Sequence, residues 1–248
     1  MRPMIRQGWR LLALLATCLV ALQLAFAARI GLMAVVDPQS TSFQRSEAWR
    51  LLSERGELRW RQEWVPASAI SRNLRKAVIA SEDASFADHA GIDWDAIEAA
   101  WERNLRAEAR AERLNQQRNP ARAVSARVVG GSTITQQLAK NLFLSGERTM
   151  MRKGQEMLLT LMLEALLPKP RILEIYLNSI EWGEGVFGAQ AAARHYYRQD
   201  AAQLAPLQAA RLAVMLPAPK RFEKLPGSAY VAGRAATIVA RMGAVELP

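Results

Sequence analysis

A long apolar run near the amino terminus constrains this chain more than any other feature of its sequence. Residues 11–28 contain only two polar side chains, Thr17 and Gln23. The apolar character resumes after Arg29 with the residues IGLMAVV, so the stretch is long enough to cross a bilayer as one helix. We therefore predict a transmembrane anchor over residues 11–36.

The charges around this run predict its orientation. The segment before it, residues 1–10, carries arginines and no acid, and the positive-inside rule places such a segment in the cytoplasm. Everything after Asp37 then lies outside the membrane. A cleaved signal peptide is the alternative, because the residues AFA at 25–27 fit a small-x-small cleavage site. We favour a retained anchor, because the hydrophobicity continues after Arg29.

Composition limits the rest of the chain to one domain. The chain has 248 residues, half of them hydrophobic, which predicts a tether leading into the domain over residues 37–63 and one sizeable core over residues 64–248. The net charge of +10 favours anionic partners, but four of the positive charges flank the apolar run. The remaining charge of about +6 suits a domain that handles phosphates, and we expect no nucleic acid partner. The single cysteine, Cys18, lies in the apolar run, so the external domain has no disulfide.

The pattern of apolar residues predicts a mainly α domain. Residues 58–65 alternate weakly and allow one short β segment, whereas the chain after Pro66 is helical in pattern. Asp93 is a candidate N-cap for a helix that runs to about Arg118. The segment 149–167 is apolar nearly all round, which predicts a helix buried within the domain.

Residues 130–143, GGSTITQQLAKNLF, carry many polar groups at a predicted helix start. The two glycines allow a tight turn, and Thr133 with Gln136 has the spacing of a capping box. The N–H groups at such a helix start could hold an anion. Gln137 and Lys140 extend the polar face, which suits an oxygen-rich ligand. An ordinary solvated face with a cap is the alternative.

The segment SEDASFADHAGID places two acids, Glu82 and Asp83, at the end of a predicted helix. An acid followed by the apolar Phe86 could be partly desolvated, and desolvation raises a carboxyl pKa toward the range of a general base. A surface carboxylate near a helix end is the alternative. His89 is interpreted as a capping or packing residue, because no other residue of metal-ligand type stands at a useful spacing.

Four ionisable residues stand at the start of the apolar segment 149–167. Two of them, Arg152 and Glu156, are four residues apart, so a plain salt bridge is one interpretation. A lined cleft is the other, in which cations hold a phosphate and the acid faces the reacting centre. The four residues are Arg148, Arg152, Lys153 and Glu156.

Taken together, these motifs resemble those of the peptidoglycan glycosyltransferases, glycosyltransferase family 51. The segments EDASFADHAGID, GGSTITQQLAKNLF, RKGQE and ILEIYLNSIEWGEGVFGAQAAARHYY follow one another in the order and spacing of that family. The resemblance runs from about Trp64 to Arg241. It implies a lysozyme-like α fold in the periplasm, beside the outer face of the cell inner membrane.

The same resemblance implies that lipid II is polymerised into β-1,4-linked glycan strands, with release of undecaprenyl pyrophosphate. Glu82 matches the general base of the family, and Glu156 matches a second acid that assists the leaving group. Asp83 and Phe86 belong to the motif of Glu82 and are expected at the substrate. The remaining residues expected at the sugar and the pyrophosphate are Ser132, Thr133, Gln136, Gln137, Lys140, Asn141, Arg148 and Lys153.

The resemblance implies no obligatory cofactor and leaves Mg²⁺ or Mn²⁺ near Glu156 open. The expected partners are lipid II, the growing glycan strand and the membrane, with cell-wall synthesis or division proteins left open. Two other functions stay open. A lysozyme-like enzyme that cleaves glycan would use one acid and have little need for the cations, and an inactive scaffold would recruit cell-wall partners.

The stretch from Glu102 to Arg127 contains seven arginines and three acids. The resemblance places it in a membrane-near part of the fold. Our hypothesis is that these arginines contact anionic lipid headgroups or lipid II. A solvated helical face with ion pairs four residues apart is the alternative.

Overall fold

The computed structural model describes residues 2–116, 130–147 and 149–248, with side chains from Gln7 onward. Three short strands, β1 (Arg61–Gln62), β2 (Glu181–Gly183) and β3 (Val186–Phe187), form one sheet in which β3 is central, parallel to β1 and antiparallel to β2. The predicted mainly α fold, with a short β segment before Pro66, is confirmed. The helices in the described residues are α1 (Arg2–Leu32), α2 (Ser42–Arg55), α3 (Arg72–Glu82), α4 (Trp94–Gln116), α5 (Ile134–Phe143), α6 (Met150–Leu166), α7 (Lys169–Ser179), α8 (Ala189–Tyr197), α9 (Pro206–Met215), α10 (Pro219–Phe222) and α11 (Ala229–Arg241).

Capping side chains set the starts of two helices as predicted. The N–H of Gln136 donates to the Thr133 hydroxyl at 3.2 Å, and the N–H of Thr133 donates to the Gln136 side chain at 3.1 Å, so the capping box of α5 is complete. The N–H of Ala96 donates to Asp93 Oδ1 at 2.7 Å, which caps α4. The predicted end of α4 near Arg118 lies outside the described residues.

The core joins two groups of helices. Helices α3, α9 and α11 pack against one another, and α5 contacts α2, α6 and α7. The contact of α2 with α5 puts the helical part of the predicted tether into the domain, where Leu51 is 3% exposed. Trp182, Tyr176 and Phe86 are the largest fully buried side chains among the described residues.

The predicted burial of α6 is wrong for half of the helix. One face is buried through Glu156, Leu159 and Leu163. The other face leaves Leu158 and Leu161 48% and 44% exposed. This helix packs against α1, so its apolar surface adjoins that of the anchor. Hydrophobicity all round a helix does not distinguish a protein core from such a position.

The anchor helix α1 is attached to the domain at its carboxyl-terminal end. Residues Gln7–Leu32 have the length and the mean hydropathy, 2.4, to cross a membrane, and no other helix in the described residues does. Ile30 and Met33 are 0% and 4% exposed within the core. Arg171 Nε donates to the carbonyl oxygen of Met33 at 2.8 Å. The predicted apolar anchor is therefore a helix that is compatible with a single membrane span.

Candidate active site

Glu82 is the last residue of α3, and its carboxylate is held by two donors. Gln137 Nε2 of α5 donates to Glu82 Oε2 at 3.1 Å, and Ser81 Oγ donates to Oε1 at 3.3 Å. Burial raises the pKa of Glu82 above its ordinary value, against the lowering effect of these hydrogen bonds. The residue is thus a carboxylate with increased proton affinity, as the sequence predicts for a base.

A buried tyrosine fixes the orientation of Gln137. The hydroxyl of Tyr176, from α7, donates to Gln137 Oε1 at 2.9 Å. Burial raises the pKa of Tyr176 well above its ordinary value, so the phenol stays protonated and remains a donor. With its oxygen engaged, the Gln137 amide must present its NH₂ group to Glu82. Three residues from three helices therefore form one directed hydrogen-bond chain.

Asp83 and Phe86 are placed in the packing of the domain. Asp83 is 7% exposed; its Oδ1 accepts from His89 Nε2 at 2.9 Å and its Oδ2 accepts from the N–H of Ile134 at 2.9 Å. The anion expected at the start of α5 is thus the Asp83 carboxylate itself. Phe86 is 0% exposed, and Lys169 Nζ lies 4.4 Å from its ring centroid. Asp83 therefore links α3 to α5 and Phe86 fills the core, and a substrate contact of either stays a prediction.

A possible cation site was overlooked in the sequence, because its three residues converge only in the fold. Ligand atoms of Asp83, His89 and Asp93 all lie within 4.8 Å of one another. The N–H of Gly91, however, donates to His89 Nδ1 at 3.1 Å, so the proton is on Nε2, which donates to Asp83. Both ring nitrogens of His89 are therefore engaged, and the predicted capping and packing role describes it better than metal ligation.

Glu156 is a buried acid between two cations at the start of α6. It is 4% exposed, Arg152 Nη1 donates to its Oε2 at 2.9 Å, and Lys153 Nζ donates to its Oε1. Arg152 is mostly buried, whereas the Lys153 side chain is 48% exposed. The salt bridge that the sequence offered as one interpretation is present, and Arg152 also lines a cavity; a cleft in which these cations hold a phosphate stays a prediction.

That cavity is a cleft of about 530 Å³ bordered by α2, α5, α6 and α7. Lys140 and Asn141 line it, as expected from the sequence. Glu82 and Glu156 are not in its wall, but Gln137, the partner of Glu82, and Arg152, the partner of Glu156, both are. Each of the two acids is therefore hydrogen-bonded to one residue in the wall of the same cleft.

The other residues expected in the cleft take different positions. Thr133 and Gln136 are 2% and 5% exposed, and the Thr133 hydroxyl donates to the carbonyl oxygen of Gly91 at 2.6 Å. The capping box thus occupies both side chains, and their expected contact with the sugar stays a prediction. Ser132 is exposed just before α5. Arg148 lies outside the described residues.

The two glycines before α5 do not make the tight turn expected of them. Neither Gly130 nor Gly131 has a positive φ. A Cβ on Gly131 would lie 3.1 Å from the carbonyl oxygen of Ala96. This glycine therefore permits the close approach of the backbone to α4.

Two acids that line the cleft were missed in the sequence, Glu47 and Glu181. Burial raises the pKa of Glu181 to about 7. Its Oε1 accepts no hydrogen bond from the described residues and lies 3.6 Å from Lys220 Nζ. The sequence does contain a signal for Glu181, because this acid lies between the apolar Ile180 and Trp182. A charge in an apolar segment is costly unless it is paired, which marks it as a candidate for a site.

Comparison with known proteins decides the family of the chain. The family model described as Transglycosylase matches residues 50–243. The chain belongs to the transglycosylase family. The match includes every helix from α3 to α11 and all three strands, and the expected mainly α, lysozyme-like fold is thereby confirmed.

Two curated relatives extend the comparison beyond the domain. The chain is 53% identical over 229 residues to the biosynthetic peptidoglycan transglycosylase of Burkholderia thailandensis, covering 92% of this chain and 83% of the relative. It is 50% identical over 236 residues to the protein of the same name from Paraburkholderia xenovorans, covering 95% and 91%. This transglycosylase thus resembles these relatives over most of both lengths.

Proposed function

We propose that this transglycosylase polymerises lipid II into β-1,4-linked glycan strands of peptidoglycan and releases undecaprenyl pyrophosphate. The names of its relatives support the reaction class. The observation that carries the proposal is that Glu82, partly buried, and Glu156, fully buried, are far apart in the sequence and each contact the wall of one cation-bearing cleft. The apolar helix α1 supports work at the inner membrane, with the domain on the periplasmic side.

Glu82 is the proposed general base. It takes the proton from the 4-hydroxyl of the acceptor sugar, and the oxygen attacks the anomeric carbon of the growing chain. The bond to the pyrophosphate breaks, its electrons leave with that group, and the α linkage becomes β in one displacement. The raised pKa of Glu82 suits this role, because a carboxylate with a raised pKa accepts a proton more readily than an ordinary one. Gln137 keeps the carboxylate aimed.

The leaving pyrophosphate needs charge stabilisation more than it needs a proton. Lys140 and Arg152 in the cleft wall supply positive charge, and Glu156 holds Arg152 and Lys153 in place. Arg148 is expected to join them. Both carboxylate oxygens of Glu156 already accept from cations, so Mg²⁺ or Mn²⁺ there would have to displace one of them.

Incubation of the full-length protein with lipid II tests the proposal. Wild type should yield polymer and free undecaprenyl pyrophosphate, Glu82→Gln should yield neither, and Glu156→Gln should be strongly slowed. Glu164→Gln is the matched control, because Glu164 is a second mostly buried acid of α6 whose partners are Lys169 and Thr135, outside the cleft wall. It should keep most of the turnover. Full polymerisation by Glu82→Gln would contradict the assigned base.

The same assay decides the remaining alternatives. A lysozyme-like enzyme would shorten preformed glycan and make no polymer from lipid II. The cations of the cleft favour transfer, because hydrolysis of a glycosidic bond leaves no diphosphate to hold. An inactive scaffold predicts no product from the wild type with either substrate.

A further inference from the structure

The two polar side chains within the apolar run of α1 are satisfied in different ways. The Thr17 hydroxyl donates to the carbonyl oxygen of Ala13, in its own helix, at 2.9 Å. Gln23 instead pairs with Gln155 of α6: each Nε2 donates to the Oε1 of the other at 3.0 Å. We call this reciprocal contact the amide pair. It ties the membrane helix to the domain, whereas the Thr17 contact does not.

The amide pair is followed by further contacts on the same side of α1. The ring of Phe26 meets that of Phe143 edge-on, with centroids 5.3 Å apart. The Arg29 guanidinium lies 5.1 Å from the Phe143 centroid, and Ile30 is fully buried. From Gln23 onward, one side of α1 is therefore packed against the domain.

The amide pair also meets α6 at the end that carries the ionic cluster. Gln155 directly precedes Glu156, and the two cations that pair with Glu156 lie two and three residues before Gln155. Gln23 stands nine residues before the end of α1, or about 14 Å along its axis. Gln23 lies among apolar side chains of α1 and α6, where an amide without a partner is unfavourable, so the pair selects one rotation and one height of α1 against α6.

We propose that Gln23 and Gln155 are positioning residues, whose amide pair fixes the height of the Glu156 cluster along the axis of the membrane helix. This inference rests on the proposed function, because a lipid-linked substrate presents its diphosphate at a height set by the bilayer. A helix that rotates or slides would bring the cluster to the wrong height. The loss should then appear in turnover of bound substrate more than in KM.

A distance measurement tests the docking without any substrate. Nitroxide labels are placed on Cys18, the single cysteine, and on a Met157→Cys variant at an exposed position of α6, in liposomes of phosphatidylethanolamine and phosphatidylglycerol. The distance distribution should be narrow in this background and broad after Gln23→Leu. Thr17→Val is the matched control, because it removes a polar group that contacts only α1, and it should leave the distribution narrow.

Turnover in the same liposomes tests the positioning. Gln23→Leu and Gln155→Leu should each lower kcat on lipid II by roughly threefold to tenfold, the range for one interhelical hydrogen bond in a membrane. The kcat of the double variant should be no lower than that of the less active single variant. Both changes remove the same contact, and the double variant leaves no amide without a partner. Thr17→Val should keep its kcat.

Two outcomes would overturn the proposal. A narrow distribution in Gln23→Leu would show that the amide pair does not hold the helix, and a broad one with wild-type kcat would show that the height of the cluster does not matter. If wild type makes no polymer, the proposed function fails, and the positioning role fails with it. The distance measurement would still decide whether the pair docks α1.

Discussion

Replacement of Tyr176 by Phe tests whether Glu82 is tuned from a distance. The variant removes one fully buried hydroxyl, which donates to Gln137 Oε1 at 2.9 Å, and keeps the ring that fills the space. Without this donor, the Gln137 amide can turn its oxygen toward Glu82. A carboxylate that loses an N–H donor is less stable, so the pKa of Glu82 should rise further.

The expected size follows from the bonds involved. A neutral hydrogen bond contributes about 1 kcal/mol, or about fivefold in rate, whereas a bond to an ionised group contributes about 1.5–3 kcal/mol, or tenfold and more. Tyr176→Phe should therefore lower kcat about fivefold on the acid side of the profile, and Gln137→Met at least tenfold. Because ionised Glu82 is the active form, the acid limb should move to higher pH in both variants.

The assay is the pH profile of kcat for lipid II polymerisation. Tyr196→Phe is the matched control, because the Tyr196 hydroxyl donates to the carbonyl oxygen of Trp182 at 2.9 Å and takes no part in the chain to Glu82. It should leave the acid limb in place. In a Gln137→Met background, Tyr176→Phe should add little, since its effect passes through Gln137. An unmoved acid limb in Tyr176→Phe, or a full second loss in that background, would refute the reasoning.

Three further predictions concern stability and membrane binding. Burial raises the pKa of Glu181 to about 7. Between the ordinary carboxyl pKa and pH 7, the folded state therefore keeps a proton that the unfolded state has released, and the stability of the fold falls as the pH rises through this range. Glu181→Gln should therefore raise Tm relative to wild type at pH 8, by roughly 2–4 °C or more, with little difference near pH 4; equal shifts at both pH values would contradict this. Phe86→Ala should lower the free energy of unfolding by about 3–5 kcal/mol and leave KM nearly unchanged. A raised KM without loss of stability would instead support the predicted contact of Phe86 with the substrate. Replacement of three arginines of α4 by Gln should weaken binding to anionic liposomes, and unchanged binding would remove the lipid hypothesis for Arg106, Arg110 and Arg113.

Features that depend only on residues close together in the sequence, such as helix caps, could be predicted. The Thr133–Gln136 capping box needs only a spacing of three residues, and it is present as predicted. The hydrogen bonds that hold Glu82 could not be predicted in this way. Gln137 is 55 residues from Glu82 and Tyr176 is a further 39 along the chain, so their meeting depends on how α3, α5 and α7 pack.

The same distinction applies to the residues predicted to bind substrate that the structure shows in other contacts. Thr133 and Gln136 have the chemistry of sugar ligands, but a residue that caps a helix has already used its polar atoms. Asp83 similarly fills the anion site that the start of α5 offers. A motif identifies which residues gather near a site; only the fold shows which of them keep a free donor or acceptor for a ligand.

Helix α6 shows why its burial was mispredicted and why that matters for function. Its sequence is apolar nearly all round because the helix borders two apolar environments, the core through Leu159 and the anchor helix through Met162. Its first turns place Glu156 and its cations beside the cleft. The proposed substrate has the same division, an apolar tail joined to a diphosphate. One helix with a charged start and an apolar outer face can therefore meet both parts of that substrate at the membrane surface, which a fully buried helix could not do.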